Sequence, residues 1–171
     1  MIISPDKFLK DINGDYKWTP KANSEAWTRC YRDLGKELMN IPDGNLLMMS
    51  GIPASGKSSI LSGSHGNKKQ AETLREQYDV IFDATFSTRI SRSSILNIAI
   101  GAGWTVDCLY VNTPVDECLR RNALRRDVKN VPDPVLIGMY DKFDRPELSE
   151  GFKDVYTPAE IMAELDERLG A

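Results

Sequence analysis

The chain of 171 residues is long enough to bury a hydrophobic core in one domain without disulfide bridges. Hydrophobic residues make up 41% of it and charged residues 27%, which is typical of a folded globular protein and excludes general disorder. The net charge of −3 argues against a protein that coats nucleic acid, although it permits a local basic pocket that grips one strand end.

Neither a membrane span nor a signal peptide is expected, because no apolar run is long enough and the N-terminus lacks a basic region before an apolar one. We therefore expect a cytoplasmic protein. Cys30, Cys108 and Cys118 form no CxxC pair and lie in apolar segments, which predicts buried thiols and neither a disulfide nor a zinc site.

The first half of the chain predicts two strands and three helices. Residues 1–3 predict a strand, and a helical spacing of apolar residues over 24–39 predicts a helix capped at Asn23 or Ser24. Residues 46–49 are continuously apolar, as in a strand covered on both faces. A helix is then expected from about Lys57, with an interruption at 62–66 and a more polar continuation over 69–77.

The second half repeats the order of strand and helix. Strands are predicted over 80–82 and 105–111, with a helix between them that runs to Ile100. Thr113 then resembles an N-cap, with a proline at the first position of a helix that extends to about Arg126. Further helices are expected over 136–143 and after the capping pattern at 157–160. This alternation implies a parallel sheet with helices on both faces.

Residues 51–58, GIPASGKS, match the phosphate-binding pattern GxxxxGK[ST] between a strand and a helix. Such a loop turns backbone N–H groups toward phosphate oxygens, next to the positive end of a helix. Lys57 would neutralise the β- and γ-phosphates of ATP, and Ser58 would offer an oxygen to Mg²⁺. The predicted phosphate contacts are Gly51, Pro53, Ala54, Ser55, Gly56, Lys57, Ser58 and Ser59.

The loop alone does not distinguish a kinase from a GTPase switch or an ATP-driven motor. The chain has no Asn-Lys-x-Asp sequence to read guanine, and it lacks room for the extra helical domain of motor ATPases. A phosphotransferase is therefore favoured, and it requires a base near the acceptor hydroxyl and movable arginines over the transferring phosphate.

Four arginines, Arg120, Arg121, Arg125 and Arg126, cluster at the end of the helix predicted after Thr113. Arg121 and Arg125 share one helix face, where guanidinium groups stabilise a phosphoryl group during transfer. A solvated basic helix end that complements the helix dipole is the alternative interpretation. The proline-bounded stretch from Asp127 to Pro134 favours a mobile lid.

Two acidic residues are candidates for the site. Asp83 ends the apolar strand after the phosphate loop, where an acid can hold Mg²⁺ or its water. Asp6 follows Ser-Pro, and an Asp in that position is usually a turn residue or a helix cap. Local sequence therefore assigns metal binding to Asp83 and leaves Asp6 open.

Four stretches resemble the 5′-hydroxyl polynucleotide kinases of phage and bacterial end-healing enzymes, and the small P-loop kinases around them. They are the phosphate loop at 51–58, the acidic strand at 80–85, the Arg-Asn motif with a further Arg at 118–125, and the segment after the lid at 131–152. The resemblance implies a three-layer α/β fold of the P-loop kinase type, with a parallel sheet, helices on both faces and an Arg-rich lid. It also implies ATP, Mg²⁺ and nucleic acid 5′ ends as ligands.

Residues 1–44 resemble a family segment that normally lies between the P-loop helix and the acidic strand. We interpret this as two βα units that have exchanged order within a single domain, residues 1–171. Residues 1–44 would carry the base, and 45–171 the P-loop, acidic strand, lid and C-terminal helix. The exchange predicts that residues 2–3 add a strand to the sheet, and the resemblance implies that Asp6 is the general base.

Two positions depart from the family on the acceptor side. Leu9 stands where nucleic-acid kinases often place an Arg for the neighbouring phosphate, and Phe86 stands where the family has Asn. The predicted acceptor contacts are Asp6, Lys10 (or Lys7), Thr85, Arg89 and Arg92. Catalytic roles are assigned to Asp6, Lys57, Arg121 and Arg125, and metal binding to Ser58 and Asp83.

The preferred interpretation is an ATP-dependent kinase for the 5′-hydroxyl of DNA or RNA. A kinase for a small alcohol, a nucleoside or a hydroxymethylated base is the alternative. A large acceptor cleft lined by Arg and Lys favours nucleic acid, whereas a closed pocket favours the small molecule. A nucleotide-binding regulatory module with slow ATP hydrolysis is the alternative from another class, and it predicts ATP binding without a labelled acceptor.

Overall fold

The computed structural model describes residues 1–11, 13, 15–64, 68–125 and 130–170. Within them, five strands form one sheet in the order β1-β3-β2-β4-β5, and every neighbouring pair is parallel. The strands are β1 Ile2–Ile3, β2 Asn45–Ser50, β3 Val80–Asp83, β4 Thr105–Tyr110 and β5 Val155–Tyr156. The predicted α/β class is confirmed. β5 is an addition, because Val155 and Tyr156 lie in a polar stretch and form no apolar run of the kind that predicts a strand.

Helices connect the strands throughout the described residues. They are α1 Pro20–Asn40, α2 Lys57–Ser62, α3 Lys68–Gln77, α4 Arg89–Gly101, α5 Val115–Ala123, α6 Asp133–Asp141 and α7 Pro158–Arg168, with 3₁₀ turns at Pro5–Phe8 and Leu148–Glu150. Gly63, with a φ of +67°, ends α2 as predicted, while residues 65–67 of the predicted interruption lie outside the described part. None of the described helices is long and apolar enough to cross a membrane.

Hydrophobic side chains cover both faces of the sheet, as the uninterrupted apolar run of β2 predicts. Leu46 and Met48 pack in the core cluster that includes residues of α1 and α4. Leu47 and Met49, which point to the other face, pack with residues of α2, α3 and α7. All four side chains are fully buried. The three-layer arrangement follows, because a strand with two apolar faces needs helices on both sides.

Two predicted helix starts are wrong, and a hydroxyl group accounts for each difference. α1 begins earlier than predicted because Thr19 Oγ1 accepts a hydrogen bond from the N–H of Ala22 at 3.1 Å and caps the helix. α5 begins without a side-chain cap. The hydroxyl of Thr113 instead donates to the carbonyl of Ser55 at 2.6 Å, so it serves the phosphate loop.

The cysteines are buried, as predicted. Cys30, Cys108 and Cys118 are free thiols with no exposed surface. Burial raises the pKa of each thiol, that of Cys30 to about 12. Because the thiolate is the reactive form, these residues are poor nucleophiles at neutral pH.

A buried ion pair joins α4 to the segment before β5. Arg92 Nε and Nη2 donate to the two carboxylate oxygens of Glu150 at 2.8 and 2.7 Å, and the Arg92 side chain is fully buried. Its Nη1 donates to the carbonyls of Phe86 at 3.0 Å and Asp144 at 2.8 Å. The prediction that Arg92 contacts an acceptor phosphate is therefore wrong, because its guanidinium is committed to groups inside the fold.

Replacing Arg92 with Ala should lower the free energy of unfolding by about 3–5 kcal/mol, because Glu150 would remain as a buried charge without its counterion. Equilibrium denaturation with urea measures this difference. Arg89→Ala, at an exposed position of the same helix, is the matched control and should change the value by less than about 0.5 kcal/mol. Similar values for the two variants would contradict the structural role of the pair.

Candidate active site

One large cavity, about 1440 Å³ in volume, lies where the carboxyl ends of β1, β2, β3 and β4 meet. Residues that directly follow these strands line it. They include residues 4–6 after β1, 53–59 after β2, 84–87 after β3, and Val111 and Thr113 after β4. In open parallel sheets this edge is where ligands bind. The fold therefore brings four loops that are far apart in the sequence together at one candidate binding site.

The phosphate loop follows β2 and is tied to the chain before α5. Ala54 and Gly56 have φ angles of +62° and +108°, in the left-handed region. A Cβ at Gly56 would also lie 3.0 Å from Nη1 of Arg121, so glycine is required there. The carbonyl of Ser55 accepts hydrogen bonds from the Thr113 hydroxyl at 2.6 Å and from Arg121 Nη1 at 2.9 Å.

The Lys57 ammonium is held by the loop itself. Its Nζ donates to the carbonyls of Gly51 at 2.6 Å and Ile52 at 3.2 Å. Gly51 therefore contributes through its carbonyl and does not line the cavity. Burial lowers the pKa of Lys57, and the negative charges of Asp83 and then Asp6 oppose this by raising it. The charges of two carboxylates therefore act on the Lys57 ammonium at the base of the loop.

The loop fits a phosphate group and Mg²⁺. Ser55 lines the cavity, and its Oγ is buried without a hydrogen-bond partner in the described part of the chain, which a phosphate oxygen would supply. Ser58 and Asp83 also line the cavity and offer the oxygen ligands that Mg²⁺ prefers. The described residues contain no cluster of three or more His, Cys, Asp or Glu. Magnesium at a phosphate site needs only one or two protein ligands, because the phosphates provide others.

The arginine cluster is partly held by an acid. Arg120, Arg121 and Arg125 line the cavity. Glu117 accepts hydrogen bonds of 2.7 Å from Arg120 and from Arg121, and these bonds lower the pKa of Glu117 to about 2. α5 ends at Ala123, earlier than predicted, so Arg125 lies beyond the helix. Glu117 therefore restrains Arg121 next to the phosphate loop. Arg125 lies in the segment that follows the end of α5.

The predicted lid lies partly outside the described residues, which exclude Arg126 and 127–129. Asn130, Val131 and Pro132, where the described chain resumes, line the cavity. Asn122 on α5 is buried, accepts a hydrogen bond from the Val131 N–H at 3.0 Å and donates one to its carbonyl at 2.6 Å. The amide of the Arg-Asn pair thus anchors this segment to α5.

Asp6 lies on the 3₁₀ turn that follows β1. Residues 2–3 add a strand to the sheet, as predicted, and the structure shows that this strand pairs with β3. Asp6 lines the same cavity as Lys57, and its charge acts on the pKa of Lys57. Thr85, after β3, lines the cavity as well. Asp6 is therefore on the same side of the fold as the phosphate loop, and its role as a base stays a prediction.

Three predicted acceptor contacts lie away from the cavity wall as the described residues define it. Lys10 is exposed, with its Nζ 5.2 Å from the centre of the Tyr16 ring. Arg89 is exposed and donates to the carbonyl of Ser149 at 3.3 Å. Arg92 is buried in its ion pair. The basic residues expected on the acceptor side therefore do not form a positively charged wall.

Sequence reasoning misses the aromatic part of the wall. Trp18 and Trp27 line the cavity together with Asn23 and Leu9. The rings of Trp27 and Phe86 pack in a T-shaped contact, with centroids 5.9 Å apart. The signal for Trp27 is its helical spacing, which indicates only a core position. Trp18 lies in a polar stretch before a proline, and an aromatic residue in such a stretch is the one available hint.

Comparison with known proteins gives two partial similarities. A family described as an AAA domain matches residues 63–146, which is just under half of the chain and begins after the phosphate loop. The L-seryl-tRNA(Sec) kinase of Methanococcus maripaludis is 29% identical over 98 residues, which cover 57% of this chain and 36% of that protein. The chain thus spans little more than a third of this relative. The similarity agrees with a P-loop kinase type of domain.

The Glu117 contacts should survive mild acid. The folded-state pKa of about 2 lies below the ordinary value of 4.5, so the stabilisation they provide is fully present above pH 4.5 and is lost as the pH falls through 2. Carboxyl resonances of protein labelled with ¹³C-Glu should be followed by NMR as the pH is lowered. The resonance that is absent from the Glu117→Gln spectrum belongs to Glu117, and it should titrate at a lower pH than most of the others. The midpoint should move toward 4.5 when Arg120 and Arg121 are both replaced by Ala. An ordinary midpoint in the wild type would contradict this geometry.

Proposed function

We propose that this protein is a kinase that uses ATP and Mg²⁺ to phosphorylate the 5′-hydroxyl end of DNA or RNA. One observation carries the proposal: a single cavity is lined by the phosphate loop with Lys57, by Arg121 and Arg125, and by Asp6. Its volume of about 1440 Å³ exceeds the roughly 300–1,000 Å³ of a pocket for one small molecule. A donor and an acceptor can therefore be bound side by side, as transfer requires.

The donor side of the cavity is assigned to residues 53–59 and to the two arginines. The hydrogen bonds of Lys57 to loop carbonyls would be exchanged for stronger ones to phosphate oxygens, because an ionised acceptor strengthens the bond. Ser58 and Asp83 would hold Mg²⁺, which neutralises phosphate charge and orients the transferring group.

The acceptor side is assigned to Asp6. In the proposed step its carboxylate takes the proton of the acceptor hydroxyl. The hydroxyl oxygen forms a bond to the γ-phosphorus, while the bond from that phosphorus to the bridging oxygen breaks and ADP leaves. Lys57, Arg121 and Arg125 stabilise the negative charge that spreads over the transferring phosphoryl group.

The exchanged order of the first two βα units is part of the proposal. β1 occupies the sheet edge next to β3, and the turn after it carries Asp6 into the cavity. A strand contributes to a site through its position in the sheet, and connections between strands can be rearranged without changing that position. Residues 1–44 would therefore complete one domain with residues 45–171.

Asp6→Asn should reduce phosphoryl transfer by about 10²- to 10⁴-fold, because the amide keeps the shape of the carboxyl group and cannot accept the proton. Single-turnover transfer from γ-labelled ATP measures the loss, and calorimetry should show nearly unchanged ATP affinity. Asp11→Asn, on the same N-terminal segment but outside the cavity wall, is the control. Unchanged transfer by Asp6→Asn would remove this residue from the mechanism.

Lys57→Met tests the donor side separately. This variant should lose both ATP binding and transfer, because the phosphates lose the cation at the base of the loop. Retention of wild-type ATP affinity would contradict the assignment of the loop. The two variants together distinguish a defect in the chemical step from a defect in donor binding.

The relative indicates a second acceptor class. L-seryl-tRNA(Sec) kinase is named for a seryl group carried on tRNA, so a hydroxyl on an aminoacyl group at a tRNA end is the second candidate. Labelled ATP should be offered with 5′-hydroxyl DNA and RNA, seryl-tRNA, nucleosides and small alcohols. Transfer to seryl-tRNA alone would favour the second candidate. ATP binding with slow hydrolysis and no labelled acceptor would instead identify a regulatory module.

A further inference from the structure

Trp18, in the loop before α1, combines exposure with a place on the wall of the large cavity. Its side chain is 55% exposed, whereas Trp104 is only 3% exposed in the core. A tryptophan in a core position would gain stabilisation from burial of its ring. Aromatic side chains on the wall of a concave site are instead typical ligand contacts. The position of Trp18 is therefore better explained by binding than by packing.

The Trp18 ring is held in place by a neighbouring aromatic residue. Tyr16 stacks on it with ring centroids 5.7 Å apart and planes 10° from parallel. On Tyr16, in turn, the Lys10 ammonium lies 5.2 Å from the ring centre, and the backbones of Lys10 and Tyr16 form an antiparallel bridge. The indole is thus oriented before any ligand binds, which reduces the entropy lost on binding.

Other described residues near the start of the chain add apolar side chains and an amide to the same cavity wall. Asn23 and Trp27 are one turn apart on α1 and both line the cavity, as do Leu9 and Pro5. The Asn23 side chain offers both donors and an acceptor. An exposed indole beside apolar side chains and an amide group offers more to a planar heteroaromatic ring than to a small aliphatic alcohol.

We propose that Trp18 is a stacking platform for a nucleobase of the acceptor, so that the protein selects hydroxyl groups carried by nucleotides. This inference rests on the proposed kinase function and specifies its acceptor. Stacking on an aromatic ring accepts any base, because every base has a π face. Free nucleosides and nucleic acid ends share this chemistry, and the comparison of the two distinguishes a single-base pocket from a strand-binding site.

Trp18→Ala should weaken the binding of a 5′-hydroxyl oligonucleotide by about 5- to 150-fold, which corresponds to the ~1–3 kcal/mol of one stacked base. Fluorescence anisotropy of a 3′-labelled oligonucleotide, without ATP, measures this. Trp18→Phe should restore most of the affinity. An oligonucleotide with abasic sites at its first two 5′ positions should bind the wild type weakly and lose nothing further in Trp18→Ala.

Tyr140→Ala removes an aromatic side chain that is 43% exposed and outside the large cavity wall, and it should leave binding unchanged. Equal binding of intact and abasic oligonucleotides by the wild type, or an equal loss for both in Trp18→Ala, would overturn the platform. Efficient phosphoryl transfer to alcohols that carry no nucleobase, together with no oligonucleotide binding, would overturn the stacking platform and still support kinase activity. Oligonucleotide binding that depends on Trp18, without phosphoryl transfer to any acceptor, would support the stacking platform and contradict the proposed kinase function.

Discussion

The geometry of the candidate site depends on a guanidinium group that is buried inside the fold and does not line the cavity. Arg92 pairs with Glu150 and also donates to the carbonyl of Phe86, at the turn after β3. The same carbonyl accepts a hydrogen bond of 3.0 Å from Ser50 Oγ, at the end of the strand that leads into the phosphate loop. A buried charge is costly unless all its partners are in place. The pair therefore couples the position of the loop to that of two segments distant in sequence.

The strained turn after β3 shows what this coupling maintains. Phe86 has a φ of +45°, a conformation that costs a bulky residue about 1–3 kcal/mol. Its ring packs against Phe82 and Trp27, with centroids 5.3 and 5.9 Å away, and its carbonyl has two donors. These contacts offset the strain and direct the residues between Asp83 and Phe86 toward the cavity. This turn therefore links Asp83, whose charge acts on Lys57, to Phe86, whose ring supports Trp27 in the cavity wall.

The parts of the site that sequence predicted are those whose chemistry is local. The phosphate loop needs glycines, a lysine and a serine at fixed spacing, so the residue types at 51–58 are enough to identify it. Arg92 and Thr113 show the opposite case. From sequence alone, Arg92 reads as an arginine on a polar helix face and Thr113 as a helix N-cap. In the structure each side chain donates a hydrogen bond to a backbone carbonyl of another segment inside the fold. No local pattern records which distant carbonyl a side chain reaches.

Sequence by itself determined the alternation of strands and helices, the burial of β2 on both faces and the phosphate loop, because hydrophobic period and loop chemistry are properties of neighbouring residues. Only the tertiary structure decided that Asp6 lines the cavity that contains Lys57, that Arg92 is internal, and that Trp18 completes the wall. Those facts depend on which strand lies next to which. In a parallel sheet, neighbours are set by packing between segments far apart in the chain, and β1 beside β3 is such a case.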